Sequence, residues 1–397
     1  MWQGRLLLRR PSGCPDAQAA PLAGGGRPLA RGRWRRDRRA GAALGLVCGL
    51  IYLRLALAVA SEGPSTNAVS MTGLLGPAPA RVIIAQDPEA ISAFTPRLEV
   101  IRALVDGGLT NLTGKPTPLL AWRSLLSTQE VVGIKVFSAP GPNSGTHPAV
   151  VEAVVQSLLA AGLPAKQLII WDKQLGHLRL AGFCALADRY GLRAAGSQEA
   201  GYDTNKFYES PLLGQLVWAD HEFGQKGAAV GRKSFVSKLV SQQMTKIINI
   251  SPLLNHNLAG VSGNLYGLAF GSVDNTLRFA GSAERLATAV PEIYALPVLG
   301  DRVVLNIVDA LVAQYYGEER SLLHYSGVPG QLRFSTDPVA LDVLSIQELE
   351  RLREAADAPP VKPNLQLYQN AAVLELGVAD PRNIQVETLG APPSPTR

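Results

Sequence analysis

Three polar residues that could act as ligands or catalysts each lie at the end of a short run of apolar residues or shortly after it. They are Asp172, His256 and Asp309. In an open α/β sheet, ligands collect outside the carboxyl ends of the strands. If these strand ends converge, one histidine and two carboxylates could coordinate a divalent cation. The sequence therefore offers these residues as a candidate metal site. The alternatives are a non-metal ligand, or side chains that only cap loops and helices.

Lys135 lies within the apolar run 131–137, where an unpaired ammonium group is costly to bury. We therefore expect it to meet an acidic side chain or a bound anion. A structural ion pair is one explanation. The other is a catalytic role, in which Lys135 or His256 acts as an acid or base.

Two polar loops offer further ligand-binding positions. The first, 138–147, leads into a helix at Pro148, and the backbone amides of such a loop could bind an anion. The second, 255–271, is rich in glycine and follows a buried strand. The candidate ligand-binding residues are Asn143, Thr146, His147, Asn255, Gly260, Asn264, Gly267 and Asp337. For Asp337 the competing interpretation is a helix N-cap, since proline follows it at the first helical position.

Short apolar runs alternate with helical patterns along residues 81–390. The runs lie at 81–85, 131–137, 168–171, 246–250 and 302–308. Near-continuous apolar runs are typical of strands that are buried on both faces. We therefore predict an α/β domain with a mainly parallel or mixed sheet that helices cover on both faces. Proline and glycine positions predict helices at 149–161 and 339–351.

The formal net charge of +6 is confined to the start of the chain. Residues 1–60 contain 11 of the 38 basic residues and 2 of the 32 acidic ones, so the remainder carries about −3. A protein that binds nucleic acid usually presents a basic face. The composition therefore argues against a nucleic-acid partner.

Residues 1–60 have the parts of an export signal. An arginine-rich start precedes the apolar stretch 41–60, which ends in Ala58-Val59-Ala60. Arg54 interrupts this stretch, and a spanning helix prefers about 20 apolar residues, so we expect a cleaved signal rather than a retained membrane anchor. Two pairs of arginines within 35–39 suggest twin-arginine export to the periplasm or another extracytoplasmic compartment. A Gly/Pro linker is expected at 61–80 and a disordered tail at 391–397.

Cysteine usage limits the cofactor. Cys184 is the only cysteine beyond residue 60, so the body can form neither a disulfide nor an iron–sulfur cluster nor a thiolate zinc site.

The glycine-rich segment 224–234 has the wrong spacing for a phosphate loop, and 260–264 lacks the last glycine of a nucleophile elbow. The neighbours Asp220-His221-Glu222 would point in alternating directions. A divalent metal stays a candidate, and the cofactor is otherwise unassigned.

Several motifs, taken in order, resemble the exported branch of the domain of unknown function 362 family over about residues 80–390. They are Val132-Gly-Ile-Lys135, Ile169-Ile-Trp-Asp172, Ile248-Asn-Ile-Ser-Pro-Leu-Leu-Asn-His256, Leu258-Ala-Gly-Val261, Asn264-Leu-Tyr-Gly267 and Ser335-Thr-Asp-Pro-Val-Ala-Leu-Asp342. The resemblance implies an α/β fold and frequent twin-arginine export, but no settled activity. Some relatives carry ferredoxin-type cysteine clusters, which this chain lacks.

The chain departs from the family pattern at two places. Phe137 stands where asparagine is usual, and Leu254-Asn255 stands where a lysine is usual. The pattern is kept at His256, Gly260, Asn264, Gly267, Asp309 and Asp337.

These observations lead to one main expectation and two alternatives. The main one is an exported α/β protein that binds a small anionic ligand or a divalent metal at the carboxyl edge of its sheet. The first alternative is a metal-dependent or redox enzyme with Lys135 or His256 as an acid or base. The second is a non-catalytic envelope protein that binds a partner, with membrane contact only through its N-terminal segment.

Overall fold

The computed structural model describes residues 79–215 and 230–391, together with residues 222, 224, 225 and 227. The expected export segment, most of the linker, Asp220-His221 and most of the tail lie outside the described residues. No helix in the described part is long and apolar enough to cross a membrane.

Fourteen strands are assigned within the described residues. They are β1 (Ala80–Gln86), β2 (Ile91–Ser92), β3 (Thr95–Pro96), β4 (Val132–Lys135), β5 (Leu168–Asp172), β6 (Arg193–Gly196), β7 (Tyr202–Glu209), β8 (Lys233–Ser237), β9 (Lys246–His256), β10 (Gly260–Val261), β11 (Val303–Gln314), β12 (Ser326–Gly327), β13 (Gln331–Ser335) and β14 (Ile384–Leu389).

The α-helices of the described residues connect and cover these strands. They are α1 (Leu98–Thr113), α2 (Pro118–Leu125), α3 (Pro148–Ala160), α4 (Leu175–Leu180), α5 (Phe183–Tyr190), α6 (Ser197–Ala200), α7 (Asn264–Ser272), α8 (Leu277–Ala280), α9 (Ala283–Tyr294), α10 (Pro338–Ala355) and α11 (Leu365–Val373).

One large sheet organises the fold, with the strand order β14-β1-β13-β11-β9-β4-β5-β6. All neighbouring pairs along this order are parallel except the two that involve β13. β10 and β12 add short antiparallel pairings to β9 and β11, while β2–β3 and β7–β8 form separate two-stranded sheets. The prediction of a mainly parallel, mixed sheet is confirmed.

Apolar cores lie on both faces of the sheet. On one face, strand residues such as Ile134 and Ile307 pack with α1, α2, α3 and α5. On the other, Trp171 and Val308 pack with α7, α9, α10 and α11. Because successive residues of a strand point to opposite faces, each strand feeds both cores. The predicted covering of both faces is confirmed, and it accounts for the near-continuous apolar runs.

The helix boundaries follow the expected proline and glycine signals. Pro148 begins α3, and Gly162, with φ of 85°, follows its end. Asp337 accepts a hydrogen bond from the Ala340 N–H at 2.8 Å and so caps α10, which Pro338 begins. The N-cap interpretation of Asp337 is therefore confirmed.

β9 is longer than the sequence predicts. It continues from Ile250 through Pro252 to His256, because β11 pairs with it as far as Leu254 and β10 pairs with Asn255 and His256. Proline has no N–H to donate, and next to it β11 shifts its register, so that Asp309 pairs with Pro252 and Ala313 with Leu253. His256 is consequently a strand residue well beyond the end of β4, where Lys135 pairs with Asn249.

Candidate functional site

Lys135 and Asp172 form a buried ion pair at the carboxyl ends of β4 and β5. The Lys135 ammonium lies 2.9 Å from Asp172 Oδ1, and both side chains are almost fully buried. The ammonium also donates to the Val136 carbonyl oxygen at 2.6 Å. The acidic partner expected for the strand lysine is thus Asp172.

Asp172 has further donors that hold it ionised. Its Oδ2 accepts from the Ser138 N–H at 2.8 Å and from the Ser138 hydroxyl at 2.6 Å, and Oδ1 accepts from the Lys173 N–H at 2.8 Å. Burial opposes ionisation, but Lys135 and Ser138 outweigh it, so the pKa of Asp172 lies below its usual range. The carboxylate is therefore a fixed, fully partnered anion.

Two glycines on α7 leave room above this pair. A Cβ at Gly271 would lie 2.2 Å from Lys135 Cε, a distance that side-chain atoms cannot tolerate. A Cβ at Gly267, one turn earlier, would meet Phe137 Cδ2 at an ordinary 3.5 Å. Gly271 is therefore required for the lysine to fit, whereas Gly267 keeps space open.

That space is a pocket of about 140 Å³. It contains aromatic, cationic and anionic groups from β5, α4, α7 and two loops. The lining residues are Phe137, Ala139, Asp172, Lys173, Gln174, His177, Tyr266, Gly267, Phe270, Gly271 and Glu319.

Lys173 is the cation that faces this pocket. Its ammonium donates to Thr276 Oγ1 at 2.9 Å and to the Val273 carbonyl oxygen at 3.2 Å, and both acceptors are uncharged. Burial lowers the pKa of Lys173 to about 8, and Lys135 adds to this effect, although Asp274 and Asp172 act in the opposite direction. Lys173 thus differs from Lys135, which has a carboxylate in direct contact.

Aromatic rings form one wall of the pocket. The rings of Tyr266 and Phe270 stack with centroids 4.2 Å apart, and Phe137 lies 6.4 Å from Tyr266. The Lys173 ammonium lies 5.7 Å from the centre of the Phe270 ring. Phe137 adds a third apolar ring to this wall.

The segment 315–325, called the outer loop below, brings Glu319 to the pocket. Asn255 Oδ1 accepts from the Glu318 N–H at 3.0 Å, and the Asn257 N–H donates to Glu318 Oε1 at 2.8 Å. The Ser321 hydroxyl donates to the Pro140 carbonyl oxygen across the gap between two loops. Asn255, a candidate ligand-binding residue, therefore positions the outer loop and does not line the pocket.

His256 packs against the outside of the aromatic wall. Its ring lies 4.3 Å from that of Tyr266, and its Nδ1 accepts from the backbone N–H groups of Leu258 and Ala259 at 3.2 and 3.0 Å. Burial lowers the pKa of His256, although Glu318 acts in the opposite direction. The imidazole is thus a neutral ring that organises the turn after β9, and it is not among the pocket-lining residues.

The structure does not bring Asp172, His256 and Asp309 together, so the condition for a metal site formed by these three residues is not met. Asp309 points to the face of the sheet that packs against α3, together with Ile307, whereas His256 contacts α7 on the other face. Within the described residues, no group of three or more His, Cys, Asp and Glu side chains is placed to hold a metal ion.

Asp309 pairs instead with His147. Asp309 Oδ2 accepts from the His147 backbone N–H at 2.7 Å and lies 2.8 Å from His147 Nδ1, with both side chains buried. Asp309 Oδ1 also accepts from the Leu311 N–H at 3.3 Å. The pair joins the start of α3 to β11 and is not part of the pocket.

This pair predicts a specific pH dependence. Burial lowers the pKa of His147, but Asp309 outweighs burial, so the net pKa lies above the ordinary 6.5. The charged pair therefore stabilises the fold fully below pH 6.5, and this contribution is lost as the pH rises through the higher folded pKa. We expect the stability advantage of the wild type over His147→Gln to shrink from pH 6 to pH 9. Chemical denaturation across this range measures it.

The matched control is His324→Gln, because His324 is exposed. The difference in free energy of unfolding between the wild type and His324→Gln should show no such decline over the same pH range. A constant difference between wild type and His147→Gln would contradict the expected pairing.

Thr146 and Gly260 have structural roles. The Thr146 hydroxyl donates to the Ile250 carbonyl oxygen at 2.8 Å and accepts from the Phe137 N–H at 2.9 Å, so it ties the loop 138–147 to β9. Gly260 has φ of 96° and pairs with His256 in the tight turn after β9. Asn143 is exposed and is not a lining residue of the pocket.

Asp337 lies at the opposite edge of the sheet. Because β13 is antiparallel to β11, its last residue, Ser335, pairs with Asn306 near the start of β11. Asp337 follows this end and accepts from the Val378 N–H at 2.8 Å. It lines a different, wider concavity of about 860 Å³. The structure thus separates Asp337 from the Lys135–Asp172 pocket.

Asn264 belongs to a buried polar network at the start of α7. Asp342 of α10 accepts from the Asn264 N–H at 2.7 Å, from Asn264 Nδ2 at 2.9 Å and from the Leu265 N–H at 2.9 Å. Asn264 Oδ1 in turn accepts from Ser251 Oγ at 3.2 Å. Burial raises the pKa of Asp342 to about 7, although the three donors favour ionisation. The network fixes the helix that carries the aromatic wall.

Several pocket residues are absent from the candidates derived from the sequence. They are Lys173, His177, Tyr266, Phe270 and Glu319. Lys173 has the clearest sequence signal, because it directly follows the strand-end carboxylate Asp172. Glu319 has none, since it belongs to a loop without a motif and reaches the pocket only through the packing of that loop.

Comparison with protein families places this arrangement in context. The family model described as a domain of unknown function, DUF362, matches residues 132–347, which is more than half of the chain. The chain belongs to the DUF362 family. The match covers β4 through most of α10, so the DUF362 region includes the Lys135–Asp172 pair, the aromatic wall and the Asp342 network. The family description assigns no activity.

No curated protein matches the chain. A crystal structure of a Thermotoga maritima protein, determined by the Northeast Structural Genomics Consortium, matches with a TM-score of 0.38 and 11% identity. The alignment covers 69% of this chain and 60% of that one, so less than two thirds of the Thermotoga protein's length is matched.

Proposed function

We propose that this DUF362 protein binds a small organic anion in the pocket at the carboxyl ends of β4 and β5. The observation that carries the proposal is Lys173, a partly buried lysine that lines the pocket and whose ammonium group donates only to uncharged acceptors. A bound anion would give Lys173 a counter-charge in direct contact, as Asp172 gives Lys135, whereas Asp274 and Asp172 act on Lys173 only from beyond ion-pair distance.

The size and walls of the pocket support an organic ligand. A volume of about 140 Å³ corresponds to about five water molecules at liquid density, which suits a small organic acid. Tyr266, Phe270 and Phe137 offer flat apolar surfaces to the rest of the ligand. Binding sites commonly combine such walls with a few fixed polar groups.

Other charged groups near the pocket are compatible with an anion. Asp172 is neutralised by Lys135 and by the Ser138 donors. Glu319 is a lining residue with an exposed side chain, so water screens its charge, and desolvation and the nearby Asp172 charge raise its pKa. His177 also lines the pocket and can donate to an acceptor of the ligand.

Thermal unfolding of the full chain in the presence of small carboxylates tests this proposal. A ligand at 100 times its dissociation constant should stabilise the fold by about 2.7 kcal/mol. We expect Lys173→Met to remove the stabilisation because it removes the counter-charge. Gly267→Leu should also remove it, because the new side chain grows into the pocket from a backbone position with space for a Cβ.

Lys166→Met is the matched control. Lys166 is exposed and lies just before β5, at the opposite end of the strand that Lys173 follows. It should leave the ligand effect unchanged. Stabilisation by divalent metal ions that is lost in the presence of EDTA, with no effect of carboxylates, would count against an organic anion and for the metal alternative.

We also propose that the protein is exported, on the basis of the arginine-rich start and the Ala58-Val59-Ala60 pattern. N-terminal sequencing of the protein isolated from its native cells should show a chain that begins at Ser61. A chain that begins at Met1 would exclude cleavage.

A further inference from the structure

The two lysines of the site have different chemical environments. Lys135 donates to a carboxylate and is packed under α7, where a Cβ on Gly271 would collide with it. Lys173 instead lines the pocket, and its nitrogen is held by a hydroxyl and a carbonyl oxygen. Only Lys173 therefore offers its nitrogen to a ligand within the pocket.

We infer that Lys173 forms a Schiff base with a small 2-oxo acid. This inference rests on the proposed function, and it assigns both a substrate class and a covalent step to the same site. The pocket combines an amine that is not paired with a carboxylate, aromatic walls and room for a ligand of this size.

The step balances without a redox partner. The Lys173 nitrogen, in its neutral form, attacks the carbonyl carbon, a C–N bond forms, and the carbonyl oxygen becomes the hydroxyl of a carbinolamine. Loss of this hydroxyl as water, after it accepts a proton, leaves the C=N bond of the imine. His177 and Glu319 line the pocket and can exchange the protons that this sequence needs.

Charge considerations favour a carbonyl compound that also carries a carboxylate. The protonated imine has the same positive charge as the ammonium group it replaces, so the carboxylate keeps its counter-charge after the reaction. Burial and, to a smaller extent, the nearby Lys135 charge lower the pKa of Lys173 to about 8 and so raise the neutral fraction of its amine. These are the conditions under which a lysine becomes a nucleophile near neutral pH.

Reductive trapping on the full chain tests this inference. The protein is incubated near pH 7 with pyruvate or phenylpyruvate and sodium cyanoborohydride, then digested and mapped by mass spectrometry. A trapped imine adds the mass of the acid less one water plus two hydrogens. We expect Lys173 to be labelled at least about tenfold more than Lys166, because Lys166 is exposed and lies outside the pocket that would hold the acid beside the amine.

The variant Lys173→Arg keeps the charge but removes the amine nucleophile. It should lose the specific adduct while the labelling of Lys166 persists. The wild-type map does not depend on the folding of this variant, and circular dichroism checks that the variant is folded.

Saturation-transfer NMR can detect binding of the two acids in the absence of reductant. This measurement separates the anion-site proposal from the Schiff-base proposal. Binding that is lost in Gly267→Leu, without an adduct at Lys173, would overturn the Schiff base and leave the anion site intact. If neither acid binds and neither is trapped, the Schiff base is overturned. The thermal unfolding test with a wider set of carboxylates would then decide whether the anion proposal stands. Equal labelling of Lys173 and Lys166 would also overturn the Schiff base.

Discussion

Replacement of Lys135 by methionine is expected to lower the free energy of unfolding by about 3–5 kcal/mol, because it leaves the buried Asp172 carboxylate without its cation. Methionine keeps most of the apolar length of the side chain, so the packing under Gly271 is largely preserved. Urea denaturation of the variant and the wild type measures the difference.

Two controls separate the loss of the ion pair from the loss of a lysine. Lys166→Met, at an exposed site, should change the stability by no more than about 0.5 kcal/mol. The double variant Lys135→Met with Asp172→Asn should be less destabilised than the sum of the single variants, because neither charge is then left alone. Strict additivity would contradict a direct pairing of these residues.

The second large effect is expected for Asp342→Ala, which should destabilise the fold by about 3 kcal/mol or more. The substitution removes one acceptor from three N–H donors at the buried start of α7, and each unsatisfied donor is costly. It also leaves a cavity between α10 and α7. Because α7 carries the aromatic wall, the variant should bind the pocket ligand less tightly.

Asp337→Ala is the matched control for this variant. Asp337 also caps a helix and also accepts two backbone N–H donors, but it is only partly buried. We expect the free energy of unfolding to fall by about 1 kcal/mol, the typical effect of removing an N-cap, with no effect on ligand binding. If both variants lost the same free energy of unfolding, the burial of the Asp342 network would not be what determines how much it stabilises the fold.

Much of the fold could be predicted from local patterns. The apolar runs indicated a sheet buried on both faces, and residues such as Pro148 and Asp337 indicated where helices begin. These signals are local because proline geometry and N-caps act within one helical turn. The need of Lys135 for a charged partner could also be predicted, because an unpaired buried ammonium is costly.

Local patterns could not predict which residues come together at the site. Asp309 and His256 both follow apolar runs, yet they lie on opposite faces of the sheet, because the face depends on the parity of each strand residue. The continuation of β9 past Pro252 depends on the register of β11, which no local pattern specifies. Glu319 reaches the pocket through a loop that Asn255, near the end of β9, and Asn257, in the turn after β9, hold in position.

The antiparallel direction of β13 had a similar consequence. A parallel strand would have placed Asp337 at the same edge as Asp172, whereas the antiparallel pairing of Ser335 with Asn306 places it at the other. Strand direction within a mixed sheet is a property of the whole topology. Residues that look alike in sequence, each after a strand, can therefore lie at opposite edges.

The measurement that tests the central claim most directly is a comparison of native and denatured mass spectra of the purified full chain, with small carboxylates added where none co-purifies. We predict a stoichiometric extra mass in the native spectrum that is lost on unfolding. It should be diminished in Lys173→Met and in Gly267→Leu, and unchanged in Lys166→Met. A native mass equal to that of the bare chain under all of these conditions, or a bound mass that the two pocket variants leave unchanged, would contradict a small-anion site at Lys173.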